Sequence, residues 1–128
     1  MPKAKQLTVS IENRPGTLAS VGNALGNAKV NILAFLSIAS GVEGHVQLVV
    51  DDVKKAEDVL EDAGFSYSEK DVLHIELPNR PGALGELARK LAAKNINITS
   101  GFATTVKASR KASVVLEVSD LDEASRLR

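Results

Sequence analysis

Apolar and polar residues alternate near the start of the chain: Leu7, Val9 and Ile11 are separated by Thr8 and Ser10. A period of two predicts a half-buried strand. Asn13-Arg14-Pro15-Gly16 breaks that period, and Leu18, Val21, Leu25 and Ala28 then follow at helical spacing. Pro15 suits the first turn of such a helix, where a missing N–H costs nothing. Residues 30–39 are apolar and β-branched enough for a second strand. Gly41 and Gly44 mark a turn, and residues 46–50 read as a buried third strand. Ala56, Val59, Leu60 and Ala63 form another helical stripe, with Gly64 as its stop. Phe65 and Tyr67 open a fourth strand running to about Val72. The predicted order is βαββαβ.

The same order then begins again. Leu73, Ile75 and Leu77 alternate; Leu84, Leu87, Ala88 and Leu91 make a helical stripe; residues 96–105 read as a strand. A longer polar hairpin is expected over residues 106–111, followed by a strand over 112–118. Asp120 is placed to cap a helix through Leu121, Ala124 and Leu127. The second copy lacks a final strand, so the edge beside its first strand is expected to stay open. Open edges invite pairing with another chain.

The repetition extends to the residues. Glu12-Asn13-Arg14-Pro15-Gly16-Thr17-Leu18 returns as Pro78-Asn79-Arg80-Pro81-Gly82-Ala83-Leu84, an offset of 66 residues from Pro15 to Pro81. Val30-Asn31-Ile32 returns at the same offset as Ile96-Asn97-Ile98. Two phrases kept in step across a helix-length gap indicate a duplicated fold. Length alone suggests one domain; the repeat divides it into a first domain over residues 1–70 and a truncated second over 71–128. Copies of about 65 residues are marginal for independent stability, so each is expected to lean on the other or on another chain. The fold class is α+β: two ferredoxin-like units, each an antiparallel sheet with helices on one face.

The shared phrase places Asn, Pro and Gly where a strand hands over to a helix. Such a turn offers free backbone N–H groups to an anion. An α-carboxylate needs those donors, and an α-ammonium needs acceptors such as an Asn side-chain carbonyl. The competing reading makes Asn13 a helix cap and Gly16 a tight turn, with Asn31 and Asn97 as turn residues.

The paired motifs, Asn13-Arg14-Pro15-Gly16-x-Leu18 with Asn31 and Asn79-Arg80-Pro81-Gly82-x-Leu84 with Asn97, resemble the ACT domain. ACT domains are small allosteric modules that regulate amino-acid metabolism. The resemblance spans nearly the whole chain, as one complete and one truncated copy. It implies edge-to-edge pairing through second strands, with a free amino acid bound at the seam. In serine-sensing phosphoglycerate dehydrogenase regulatory domains, the motif Asn and Gly and the second-strand Asn face the effector. The ligand-binding candidates implied are therefore Asn13, Gly16 and Asn31, with Asn79, Gly82 and Asn97; Arg14 and Pro15 join them as the rest of the first turn. The ligand-contacting His of those domains has no counterpart, because Ile11 and Leu77 stand at its positions.

Other chemistry finds little support. Lys+Arg and Asp+Glu are both 16, so no net field attracts nucleic acid or an anionic membrane. The candidate central strands carry no aromatics on which bases could stack. Without cysteine there is no disulfide, thiolate nucleophile or Cys metal site. His45 and His74 lie at non-equivalent repeat positions, without partners at metal or acid–base spacing. The N-terminal Met-Pro-Lys-Ala-Lys-Gln is no secretory signal, and the apolar runs are too short to span a bilayer. The expectation is a cytoplasmic, non-catalytic, cofactor-free homodimer that senses an amino acid and acts on a separately encoded enzyme. The alternative is an oligomerisation module with a vestigial ligand site.

Overall fold

The computed structural model describes every residue except Val106. Its elements are β1 (Lys3–Glu12), α1 (Thr17–Asn27), β2 (Ile32–Ser40), β3 (Glu43–Val50), α2 (Val53–Asp62) and β4 (Tyr67–Pro78). They continue as α3 (Ala83–Ala93), β5 (Ile98–Thr104), β6 (Lys111–Val118) and α4 (Leu121–Ser125). The chain divides into two compact units. One is Lys5–Lys70; the other joins Met1–Ala4 to Asp71–Arg128.

In the first unit β3 lies between β2 and β1, antiparallel to both. Leu7 pairs with Leu48 and Val9 with Val46, so these four side chains share one face. Val21 and Leu25 of α1 and Ala56 and Leu60 of α2 pack onto that face. Both helices therefore cover the same side. The Asp52 carboxylate caps α2 by accepting from the Lys55 amide at 3.1 Å. Gly64 takes the left-handed conformation after α2, as expected of a stop. Ser66 accepts from the Ser10 amide at 2.9 Å, placing the approach to β4 beside β1.

The second unit repeats this plan. β6 lies between β4 and β5, antiparallel to both, with Leu73 opposite Leu116 and Ile75 opposite Val114. Leu87 and Leu91 of α3 and Ala124 of α4 complete the core. Asp120 caps α4 through the Glu123 amide at 3.0 Å. The helix stops at Ser125, short of Leu127, though Leu127 still packs against the core.

Two expectations are revised. The strands predicted on either side of Val72 are one continuous strand, β4, because the charged junction Glu69-Lys70-Asp71 contains no Gly or Pro to break it. The edge beside the second copy's first strand is not open. The His74 amide donates to the Pro2 carbonyl at 3.1 Å, and Met1 packs against the second core. The first four residues take the place of the missing final strand. The hairpin expected over 106–111 begins at Val106, which lies outside the described residues. Among the described residues, no helix is long and apolar enough to cross a membrane.

Candidate functional site

Both strand-to-helix turns end on a glycine in the left-handed region: Gly16 has φ 93° and Gly82 has φ 88°. An added Cβ would meet no atom within 4 Å at either position. Backbone conformation, not crowding by the protein, therefore selects glycine there. These glycines are the N-caps, and a glycine brings no side-chain acceptor to its helix. The amides of Gly16, Leu18 and Ala19, like those of Gly82, Leu84 and Gly85, have no partner among the described residues. Each turn presents a small set of unspent donors at the positive end of a helix dipole.

The motif asparagines do not cap these helices. The Asn13 amide donates to Val42 O at 2.9 Å and its Nδ2 to Gly41 O at 2.8 Å. Asn79 makes the same pair of bonds, to Arg110 O at 2.8 Å and Ser109 O at 2.9 Å. In both copies the side-chain donor ties the turn to the neighbouring hairpin. Oδ1 of each accepts no hydrogen bond among the described residues.

The turns differ in their remaining contacts. Thr17 Oγ1 donates to Glu12 O at 2.7 Å and Arg14 O at 3.1 Å, bracing the first turn from within. Ala83 stands at that place in the second. Arg14 Nε donates to Glu12 at 2.6 Å. Arg80 grips Glu86 with two bonds, at 2.9 and 3.2 Å. That guanidinium holds the Glu86 carboxyl below the ordinary carboxylate range, and Glu86 in turn raises the pKa of Arg80. Both motif arginines thus serve carboxylates of their own unit. Pro15 and Pro81 are exposed in the turns.

Asn31 and Asn97 lie elsewhere. The Asn31 amide donates to Asp51 Oδ1 at 3.0 Å, and its carbonyl accepts from the Asp51 amide at 3.1 Å. Asn97 does the same with the Ser119 hydroxyl and amide, at 2.8 and 2.9 Å. Both precede an edge strand whose far end carries the hairpin that holds Asn13 or Asn79. At about 3.3 Å per residue, the nine residues of β2 separate the two ends by roughly 25 Å. One unit therefore does not bring Asn13 to Asn31. His45 is paired in register with Ser10 and Ile38, and His74 Nε2 lies 2.8 Å from Ser113 Oγ.

A cavity flanks the second turn. It measures about 640 Å³ and lies between α3 and the β5–β6 edge, with Asn79 and Arg80 at one end. Its floor includes Gly101, which the motif comparison passed over. The repeat register was the available signal, since Gly101 stands 66 residues after Phe35.

The sequence matches the family described as ACT domain pair over residues 3–125. A solved structure from Bacteroides thetaiotaomicron is similar at 30% identity and a TM-score of 0.89, covering 96% of this chain and 84% of that one. The ligand-free regulatory subunit of aspartate kinase from Thermus thermophilus shares the fold at 16% identity and a TM-score of 0.71, covering 98% of this chain and 94% of that one. The corresponding Thermus flavus subunit does so at 18% and 0.67, over 96% and 86%. No match was found among curated proteins.

Proposed function

This chain belongs to the family of paired ACT domains, and on that premise we propose that it is a non-catalytic, cytoplasmic sensor of a free amino acid. The observation that carries the reading is the set of unpartnered amides at two left-handed glycine caps, each preceded in its turn by an Asn. The amides suit an α-carboxylate, and Oδ1 of Asn13 or Asn79 suits the α-ammonium. Occupancy would then be passed to a separately encoded enzyme of amino-acid metabolism; the family and the aspartate kinase subunits that share its fold support that role.

The seam also belongs to this proposal. β2 has one neighbour, β3, and exposes Leu33, Phe35 and Ile38. β5 is the matching edge of the second unit. Antiparallel pairing of such an edge with that of a second chain sets the start of one strand beside the end of the other. Asn31 or Asn97 would then approach the turn held by the opposite hairpin. A homodimer of this kind completes a site that one unit leaves incomplete. The exposed apolar β2 edge also favours a second reading, a pure oligomerisation module with a vestigial ligand site.

Calorimetry with the twenty amino acids separates the two. At about 100 times its dissociation constant, a ligand stabilises the fold by about 2.7 kcal/mol, which a thermal shift also detects. Replacing the ammonium partner by Asn13→Ala or Asn79→Ala should weaken binding by about ten- to hundredfold, the value of a hydrogen bond to a charged group. Heat from none of the twenty leaves the oligomerisation module as the reading.

A further inference from the structure

A matched position on the helix-covered face of the sheet sets the two units apart. In the first, Phe35 pairs in register with the core residue Leu48. In the second, Gly101 pairs with the equivalent core residue Leu116. The backbone there has room for nothing larger without movement: an added Cβ would lie 2.7 Å from Leu116 Cδ2. Leu116 and Ile98 lean over the glycine, and beside them a groove of about 640 Å³ lies under the second turn, within the size range of small-molecule sites.

The chemistry of this groove is lopsided. Leu77, Leu84, Ala88, Ala103 and Leu116 form its body. Asn79 and Arg80 stand at one end, in the turn that leads to the unspent amides of Gly82, Leu84 and Gly85. Arg80 is the one charged residue of the lining, and Glu86 already engages its guanidinium. A zwitterionic head fits the polar end. The side chains of the body offer no partner to a hydroxyl, carboxylate or ammonium on a ligand side chain, so such groups would be poorly compensated for their lost water. Apolar walls favour an apolar occupant. In the first unit a phenylalanine takes the place of the glycine, and Thr17 braces the turn where Ala83 leaves the second unbraced.

We propose that the groove over Gly101 is the side-chain subsite for a free amino acid with an aliphatic or aromatic side chain, and that Gly101 against Phe35 makes the second unit the ligand-selecting one. This rests on the sensor reading and adds to it the class of ligand and the unit that chooses it.

The test uses the full chain and calorimetry with valine, leucine, isoleucine, methionine and phenylalanine, set against serine, threonine, aspartate and lysine. Apolar amino acids should bind at least tenfold more tightly than polar ones. Gly101→Phe should cut their affinity about tenfold or more, since even one methylene in an apolar pocket changes affinity by about that factor. The variant should fold, because the first unit holds phenylalanine at the same register. Should it not fold, Leu84→Ser reads the same groove from a side chain that is already 62% exposed, so its cost to the fold is small. A polar amino acid as the tightest ligand overturns this inference and leaves the sensor reading standing. So does an apolar ligand whose affinity ignores both variants. If Gly101→Phe leaves ligand affinity alone but dissociates an oligomer, the groove receives a second copy of the chain and the proposal fails. If no amino acid binds at all, the sensor reading falls with it.

Discussion

Removing Met1–Ala4 should cost far more than the loss of a frayed terminus. The Pro2 carbonyl accepts from the His74 amide at 3.1 Å, a bond that contributes about 1 kcal/mol. The Met1 ammonium donates to Ser125 O at 2.8 Å and Leu127 O at 2.6 Å, in a partly buried setting. Hydrogen bonds to charged groups contribute about 1.5–3 kcal/mol, and the low end applies to this partly exposed pair. The Met1 side chain is half-buried against the second core, which adds about 1 kcal/mol. The ion pair between Lys3 and Asp122, at 2.8 Å, is exposed and is counted as nothing.

The total is about 3–4 kcal/mol, a large part of the roughly 5–15 kcal/mol that holds a domain folded. At about 4 °C per kcal/mol for a chain of this size, Tm should fall by roughly 12–16 °C. Thermal unfolding followed by circular dichroism measures the shift, and hydrogen exchange localises it. The His74 amide should lose protection first, since its acceptor is gone. The deletion would also bare the edge of β4, so the shortened chain should self-associate more than the full one. A fall in Tm under about 3 °C, or unchanged exchange at His74, would refute the assignment of these residues as the strand that completes the second unit.

Further outcomes follow from single contacts. Tyr67, the one tyrosine, has its phenol pushed up to about 12, first by its hydrogen bond to Glu61 and then by burial. Its spectrophotometric titration should have a midpoint near 12 and return toward about 10 in Glu61→Gln; the stability it lends is lost as pH rises through that range. Gly82→Ala should destabilise by about 1–2 kcal/mol from its left-handed backbone alone, read by urea unfolding. The Glu86 carboxyl is held low by Arg80, so their pair stabilises above the ordinary carboxylate range and is lost as pH falls through it. The Tm gap between wild type and Arg80→Ala should therefore shrink between pH 7 and pH 3.

Local signals carried most of the fold. Period-two and helical stripes located the strands and helices, and Asp120 and Gly64 punctuate them as their chemistry predicts. What escaped was non-local. Met-Pro-Lys-Ala shows no apolar alternation, yet it completes a unit through a backbone carbonyl, an ammonium and one side chain. None of these registers in a hydrophobicity pattern. The junction at residues 69–71 reads as a boundary because it is charged, but charge does not interrupt a strand. The Gly16 turn was legible as glycine-dependent. That Asn13 and Asn31 sit at opposite ends of an edge strand follows only from the pairing of β2 with β3.

The duplicated asparagine carries a lesson about inference from repeats. Recurrence of Asn13 as Asn79 invites a ligand role, since one fold seldom keeps the same polar side chain twice without use. The structure supplies a use in each copy: Nδ2 fastens the turn to its hairpin, at 2.8 Å in one and 2.9 Å in the other. Recurrence is thereby accounted for without any ligand. Asn31 and Asn97 differ, because only their backbones tie to Asp51 and Ser119 and that does not call for an Asn side chain. Functional weight then falls on groups that no fold contact uses: the amides at Gly16 and Gly82, Oδ1 of each motif asparagine, and the groove beside Gly101. Because Asn13→Ala removes the hairpin bond together with any ligand contact, its binding loss needs a matched stability measurement. An affinity drop larger than the fold destabilisation explains is the part that belongs to the ligand.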